Sequence, residues 1–148
     1  MQSNNEFDRS DPTKVLRNLG IPLDHFKYVR LVWPLCNRIR GHIKNRSLQK
    51  AVKRLENYVT LSDDEMLMEV RNVCNAVGSL LWQVDDSESQ AVHVLLYVSC
   101  YGFADFGNLL WFFTQSLESI EGIDCHRGRA IAAELVTTQI DILRQNNT

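Results

Sequence analysis

Residues 91–116 read AVHVLLYVSCYGFADFGNLLWFFTQS, and this stretch decides how the rest of the chain must fold. It holds more than half of the aromatic residues of the protein and a single formal charge, at Asp105. Such a segment would expose more apolar area at a surface than soluble monomers tolerate. We therefore expect it to form the centre of the hydrophobic core.

A membrane span is the alternative for a stretch of this kind, and it would need about 20 predominantly apolar residues. The stretch is interrupted by His93, Gly102, Asp105 and Gly107, and basic residues do not flank it. We therefore predict no membrane span. The polar N-terminus, MQSNNEFDRSDP, resembles no secretory leader and predicts a cytoplasmic protein.

Two glycines raise the question of whether this stretch is one helix or two. Glycine costs about 1 kcal/mol relative to alanine in a helix interior, so Gly102 and Gly107 favour a break, with Asp105 as the candidate cap of the second helix. A single helix, in which the glycines permit close packing, is the alternative.

Helical periodicity recurs along the rest of the chain, and no segment alternates with a period of two over a useful length. Asp11 and Pro12 predict the start of a first helix, whereas Pro34 predicts a kink or break near 31–33 in the second. Polar caps predict further starts at Asn45 or Ser47, at Ser62–Glu65, at Ser87 with Gln90, and near Arg127. We predict an all-α fold, a single-domain bundle of about six or seven helices over residues 11–146, after a flexible tail of residues 1–10.

Motifs that carry chemistry are missing from the sequence. GxSxG, HExxH, the P-loop, GxGxxG and the EF-hand loop do not occur, and no histidine has the partner three or four residues away that a helical metal site uses. We therefore predict no enzyme, no catalytic residues, no metal site and no cofactor. The four cysteines form no CxxC pair, which predicts free, buried thiols.

Other large or polar side chains of the central stretch have two interpretations. His93, Tyr97, Tyr101 and Asp105 are the candidates for a ligand pocket, although a structural cap or a buried hydrogen bond explains Asp105 more simply. The three tryptophans, Trp33, Trp82 and Trp111, are interpreted as core side chains, and an exposed one would become an interface anchor.

Charge is strongly segregated along the chain. Residues 27–54 contain nine basic residues and no acid, whereas residues 55–148 contain four basic and fourteen acidic residues. Either these charges attract each other within the fold, or one face is presented to an oppositely charged partner. The candidate partner-binding residues are a basic face of Arg38, Arg40, Lys44, Arg46, Lys50 and Arg54, and an acidic group of Asp63, Asp64, Asp85, Asp86 and Glu88. No nucleic-acid-binding motif accompanies the basic residues, so we predict no nucleic-acid partner.

Three segments carry a family resemblance: VWPLCNR at 32–38, NRSLQKAVKRLENYVTLSDDE at 45–65, and DDSESQAVHVLLYVSCYGFADFGNLLWFF at 85–113. Together they resemble the all-helical immunity proteins encoded beside bacterial polymorphic toxins. The matching positions are Pro34-Leu35, Ala51-Val52, Thr60 with Ser62–Glu65, and Ala91. The alanine-rich helices of that family are filled here with larger apolar residues.

The resemblance implies a binding protein that neutralises a cognate bacterial toxin by non-covalent occlusion, and it implies no catalytic residue. Two alternatives remain open at the level of sequence. One is a ligand-binding or enzymatic helical domain with a pocket near His93 and Asp105. The other is an adaptor domain that associates with itself.

Overall fold

The structure is a computed structural model that describes residues 11–19, 24–61 and 67–146. Seven α-helices lie within these ranges: α1 (Pro12–Arg17), α2 (His25–Ile39), α3 (Arg46–Leu61), α4 (Leu67–Leu80), α5 (Asp86–Cys100), α6 (Phe106–Ser116) and α7 (Cys125–Asn146). The all-α prediction of six or seven helices is confirmed. The predicted tail at 1–10 and the cap at Ser62–Glu65 lie outside the described residues.

Short side chains with an oxygen begin most of these helices, because they satisfy amides that have no partner within the first turn. The carboxylate of Asp11 accepts hydrogen bonds from the Thr13 and Lys14 amides at 3.0 and 3.4 Å, as the sequence predicts. The same role falls to Asp24, Asn45, Asp85 and Asp124 at the starts of α2, α3, α5 and α7. At α5 the cap is therefore Asp85 and not Ser87, which corrects the sequence prediction by two residues.

Pro34 lies inside α2, yet the helix runs without a break from His25 to Ile39. Of the predicted kink or break near 31–33, the break is therefore wrong. Proline in a helix interior costs about 3 kcal/mol. Burial outweighs that cost, because α2 packs against α5 and α7 and buries seven side chains, among them Val29, Val32 and Leu35, which have no exposed surface.

The central stretch forms two helices, α5 and α6, joined by an extended Tyr101–Gly102 segment and a 3₁₀ turn at Phe103–Asp105. The predicted break between Gly102 and Gly107 is thus confirmed. Helix α5 packs against α2, α4 and α6, and Val92, Leu95 and Val98 are fully buried. The stretch therefore supplies a central part of the core, as its composition predicts.

A π-helical turn at Leu117–Glu121 extends α6 and ends at Gly122, whose φ of 70° is left-handed. Such turns are rare and shift the side chains that follow around the helix axis. Here the turn brings Glu121 beside Arg38 of α2. None of the described helices is long and apolar enough to cross a membrane.

Candidate functional site

The structure separates the predicted basic face into two groups by what their side chains contact. Arg38 is bound by the carboxylate of Glu121, to which its two terminal nitrogens donate at 2.7 Å each. Arg40 donates to Glu56 at 3.1 Å, and its guanidinium lies 5.8 Å from the centre of the Trp33 ring. Arg38 and Arg40 thus pair with acidic side chains within the fold. This agrees with the first interpretation of the charge pattern, in which opposite charges attract each other inside the molecule.

The second group is a row of cations on α3, which we call the α3 basic row: Arg46, Lys50 and Arg54. A spacing of four residues places them on one side of the helix. All three side chains are exposed, and none forms an ion pair within the described residues. Lys44 precedes the row and is exposed as well.

A shallow cavity of about 150 Å³ adjoins this row between α3 and α4. The exposed Lys50 and Arg54 line it together with Ser47, and its apolar lining comes from Ala51, Val73 and Ala76. A second cavity of about 300 Å³ lies on the opposite side of α3 and is lined by Arg40, Gly41, Gln49 and Val52. The first cavity combines free positive charge with apolar surface, an arrangement that suits an acidic side chain next to an apolar one.

A polar network joins the end of α2 to the end of α6. His42 is largely buried; its Nδ1 lies 2.7 Å from Ser116 Oγ, and its Nε2 lies 2.6 Å from Glu121 Oε2. Hydrogen bonds from Arg38, and after them from His42, lower the pKa of Glu121 to about 2, against the opposing effect of burial. Arg38, His42, Ser116 and Glu121 thus form one hydrogen-bonded unit, which we call the His42 network.

The His42 network contains a serine, a histidine and an acid in a chain, the combination used in nucleophilic catalysis. Two features oppose that use here. Ser116 has no exposed surface, so its hydroxyl is closed to a substrate. Glu121 is held by both terminal nitrogens of Arg38, so its charge is already neutralised. In this conformation the network can clamp helix ends together but cannot attack a bound molecule.

The predicted acidic group is not a single surface. Glu88 is buried, with 6% of its surface exposed, and its Oε2 accepts from the Lys44 and Asn45 amides at 2.7 and 3.4 Å. The prediction that Glu88 belongs to an exposed acidic group is therefore wrong. Asp85 caps α5 and Asp86 is exposed, while Asp63 and Asp64 lie outside the described residues.

Three of the four candidate pocket residues are brought together, but their rings fill the space between them. His93 stacks on Phe112 of α6 at 4.4 Å between ring centres, and Tyr97 stacks on both Phe112 and Tyr101. His93 Nδ1 also donates to the Ser89 carbonyl at 2.8 Å. These contacts form an aromatic ladder between α5 and α6.

Asp105, the fourth pocket candidate, is not part of the aromatic ladder. It occupies the position that caps α6, but its side chain makes no capping hydrogen bond. Its charge instead acts on the buried Tyr28, whose pKa is raised first by burial and then by this carboxylate. The structure therefore does not join Asp105 to the aromatic ladder through any described contact.

The prediction that all three tryptophans are core side chains is wrong for two of them. Trp82 is 79% exposed and Trp111 is 54% exposed, with Trp111 resting edge-on against Phe112 at 5.1 Å. Trp33 is half-buried against the core. The predicted burial of all four thiols is also wrong, because Cys74 and Cys100 are half-buried and Cys125 is exposed.

Within the described ranges, no group of three or more histidine, cysteine or acidic side chains could hold a metal ion. The sequence did not predict the His42 network, because the residues that it joins by hydrogen bonds lie 74 to 83 positions apart and no local motif links them. No family model matches this chain, and comparisons with curated proteins and with solved structures likewise gave no match.

Proposed function

We propose that this chain is a small binding protein that neutralises a cognate bacterial toxin by non-covalent occlusion, without catalytic turnover. The family resemblance motivates the toxin as the class of partner. The observation that carries the proposal is the α3 basic row, whose three exposed cations have no acidic partner within the described ranges.

The contrast with Arg38 and Arg40 supports this choice of surface. Those two arginines show that the fold can neutralise its own cations where it brings acids beside them. Exposed charges that stay unpaired add little to stability, but they raise the rate at which an oppositely charged partner arrives. The α3 basic row is therefore better suited to recognition than to folding.

The cavity beside the row indicates the chemistry of the partner. Its cationic lining residues, Lys50 and Arg54, would pair with a carboxylate, and its apolar wall of Ala51, Val73 and Ala76 would cover a neighbouring apolar side chain. Arginine is enriched among the residues that dominate binding energy, and a partner that docks on the apolar wall would reduce the contact of the ion pair with water. We expect the partner to present an acidic, partly apolar surface.

Co-expression with the product of a neighbouring large toxin gene tests the proposal directly. We expect a stable complex and rescue of growth. In the double variant Lys50→Glu/Arg54→Glu, the association rate constant should fall at least about tenfold at low salt, and its salt dependence should weaken.

The matched control is Lys27→Glu/Arg127→Glu, which makes the same change in net charge at exposed positions on α2 and α7. The control should bind like the wild type. No complex and no rescue would refute the toxin as partner, and equal loss in both double variants would refute the α3 basic row as the docking surface.

A further inference from the structure

Two free cysteines meet where α4 packs against α5. The Cys74 thiol of α4 donates to the carbonyl oxygen of Ser99 at 3.0 Å, so it lies against the peptide group that links Ser99 to Cys100. The Ser99 hydroxyl oxygen is 3.8 Å from the Cys100 sulfur. Each thiol also changes the pKa of the other, raising it for Cys74 and lowering it for Cys100.

Burial separates this pair from the other cysteines. Cys74 and Cys100 are half-buried, so both residues keep part of their surface in contact with solvent. Cys36 has no exposed surface, and burial raises the pKa of its thiol to about 12, so it stays protonated and inert. Cys125 is exposed at the start of α7, remote in sequence from both.

The contact also makes the two thiols unequal. The hydrogen bond from Cys74 lowers the pKa of Cys100 to about 7, and Ser99 adds to this effect while burial opposes it. The pKa of Cys74 is raised by the neighbouring Cys100 thiol and by burial, which disfavours the charged form. Cys100 closes α5 at the negative end of the helix dipole, so the thiolate depends on these hydrogen bonds and not on the helix.

We propose that Cys74 and Cys100 form a peroxide-reactive dithiol site at the junction of α4 and α5, with Cys100 as the attacking thiol and Cys74 as the resolving thiol. This inference goes beyond the proposed binding function and does not depend on it.

The reaction with hydrogen peroxide balances in two steps. The Cys100 thiolate attacks one peroxide oxygen, the O–O bond breaks, and hydroxide leaves, which makes Cys100 a sulfenic acid. The Cys74 sulfur then attacks the Cys100 sulfur, the S–O bond breaks, and the departing hydroxide takes the Cys74 proton as water. The peroxide gains two electrons, the two thiols lose them, and a disulfide links α4 to the end of α5.

The test uses the full-length reduced protein with Cys125→Ser, so that the exposed thiol cannot react. After brief treatment with hydrogen peroxide at neutral pH and alkylation, we expect a mass lower by two hydrogens and two fewer alkylated sites. Trypsin has no site between Arg71 and Arg127, so a glutamate-specific protease that cleaves after Glu88 is needed to separate the two cysteines. A linked pair of peptides containing Cys74 and Cys100 is the expected product.

Alkylation rates of the untreated protein provide a readout that needs no further substitution. At neutral pH Cys100 should react roughly tenfold faster than Cys74, because only the thiolate is nucleophilic. Adding Cys74→Ser should leave a sulfenic acid on Cys100 that dimedone traps, with no disulfide. Equal alkylation rates for the two thiols, or peroxide treatment that yields neither the disulfide nor the sulfenic acid, would overturn the proposal.

Discussion

The carboxylate of Glu121 accepts hydrogen bonds from both terminal nitrogens of Arg38 at 2.7 Å, although the two residues are 83 positions apart in the sequence. The pair joins α2 to the π-helical turn after α6, and the same carboxylate also contacts His42 Nε2. Paired hydrogen bonds between a guanidinium and a carboxylate are shorter and stronger than neutral ones, and they fix orientation. Glu121 is therefore the centre of the His42 network.

Replacing Glu121 by glutamine should weaken the network without changing its shape. The amide cannot accept from both Arg38 nitrogens, and it leaves the guanidinium without a countercharge. Since about a quarter of the Glu121 side chain is exposed (27%), solvent screening reduces the effect. We expect the free energy of unfolding in urea to fall by about 1–2 kcal/mol.

Glu118→Gln is the matched control for this change, because Glu118 lies on the same π-helical turn and is exposed. Its free energy of unfolding should stay within about 0.5 kcal/mol of the wild type. If the two variants lose the same amount, the contact between Arg38 and Glu121 does not contribute to stability.

The pH dependence of stability should report the same carboxylate. The pKa of Glu121 is about 2 in the folded chain and 4.5 as the ordinary value, so the unfolded state binds more protons between these limits. Its contribution is complete above about pH 4.5 and is lost as the pH falls toward 2. The difference in unfolding free energy between wild type and Glu121→Gln should shrink over that window, as measured by urea titrations at successive pH values.

A difference that stays constant from pH 5 down to 2.5 would contradict the lowered pKa. Urea titrations of Glu118→Gln at the same pH values serve as the control.

Ser116 tests the buried end of the network. Its side chain has no exposed surface, and its oxygen lies 2.7 Å from His42 Nδ1. Ser116→Ala leaves that ring nitrogen buried without a partner, which should lower the free energy of unfolding by about 1–3 kcal/mol. Ser119→Ala removes the same atom from an exposed serine three residues later and should cost less than about 0.5 kcal/mol. Equal losses in chemical denaturation would show that His42 gains nothing from Ser116.

Local signals made much of the fold predictable. Asp11 with Pro12 marks the start of α1, and Gly102 with Gly107 marks the break between α5 and α6, because capping and glycine entropy act within a few residues. The break predicted at Pro34 does not occur, because here a long-range effect outweighs a local one. Its local cost is real, but the packing of α2 in the core is a tertiary effect that local patterns do not contain.

The candidate site depends on contacts between distant segments, so the sequence could indicate only its composition. The sequence places Glu88 in the acidic group, but in the structure its carboxylate accepts a hydrogen bond from the Lys44 amide, 44 residues away. Trp111 lies in a stretch so uniformly apolar that no period marks its exposed side. The sequence shows that residues 27–54 are basic. It does not show that Arg38 is paired while the α3 basic row is not, because that difference depends on where the fold places Glu121.

Gly122 and Gly78 offer opposite outcomes for the same substitution. A Cβ at either position would have nothing within 4 Å, so neither change creates a clash and only the backbone decides. Gly122 has a φ of 70°, where a side chain costs about 1 kcal/mol or more, so Gly122→Ala should destabilise the turn that places Glu121. Gly78 lies exposed within α4, where alanine should stabilise by roughly 0.5–1 kcal/mol. Thermal and urea unfolding should therefore move in opposite directions for the two variants, and a shift of the same sign would mean that Gly122 does not hold its left-handed conformation in solution.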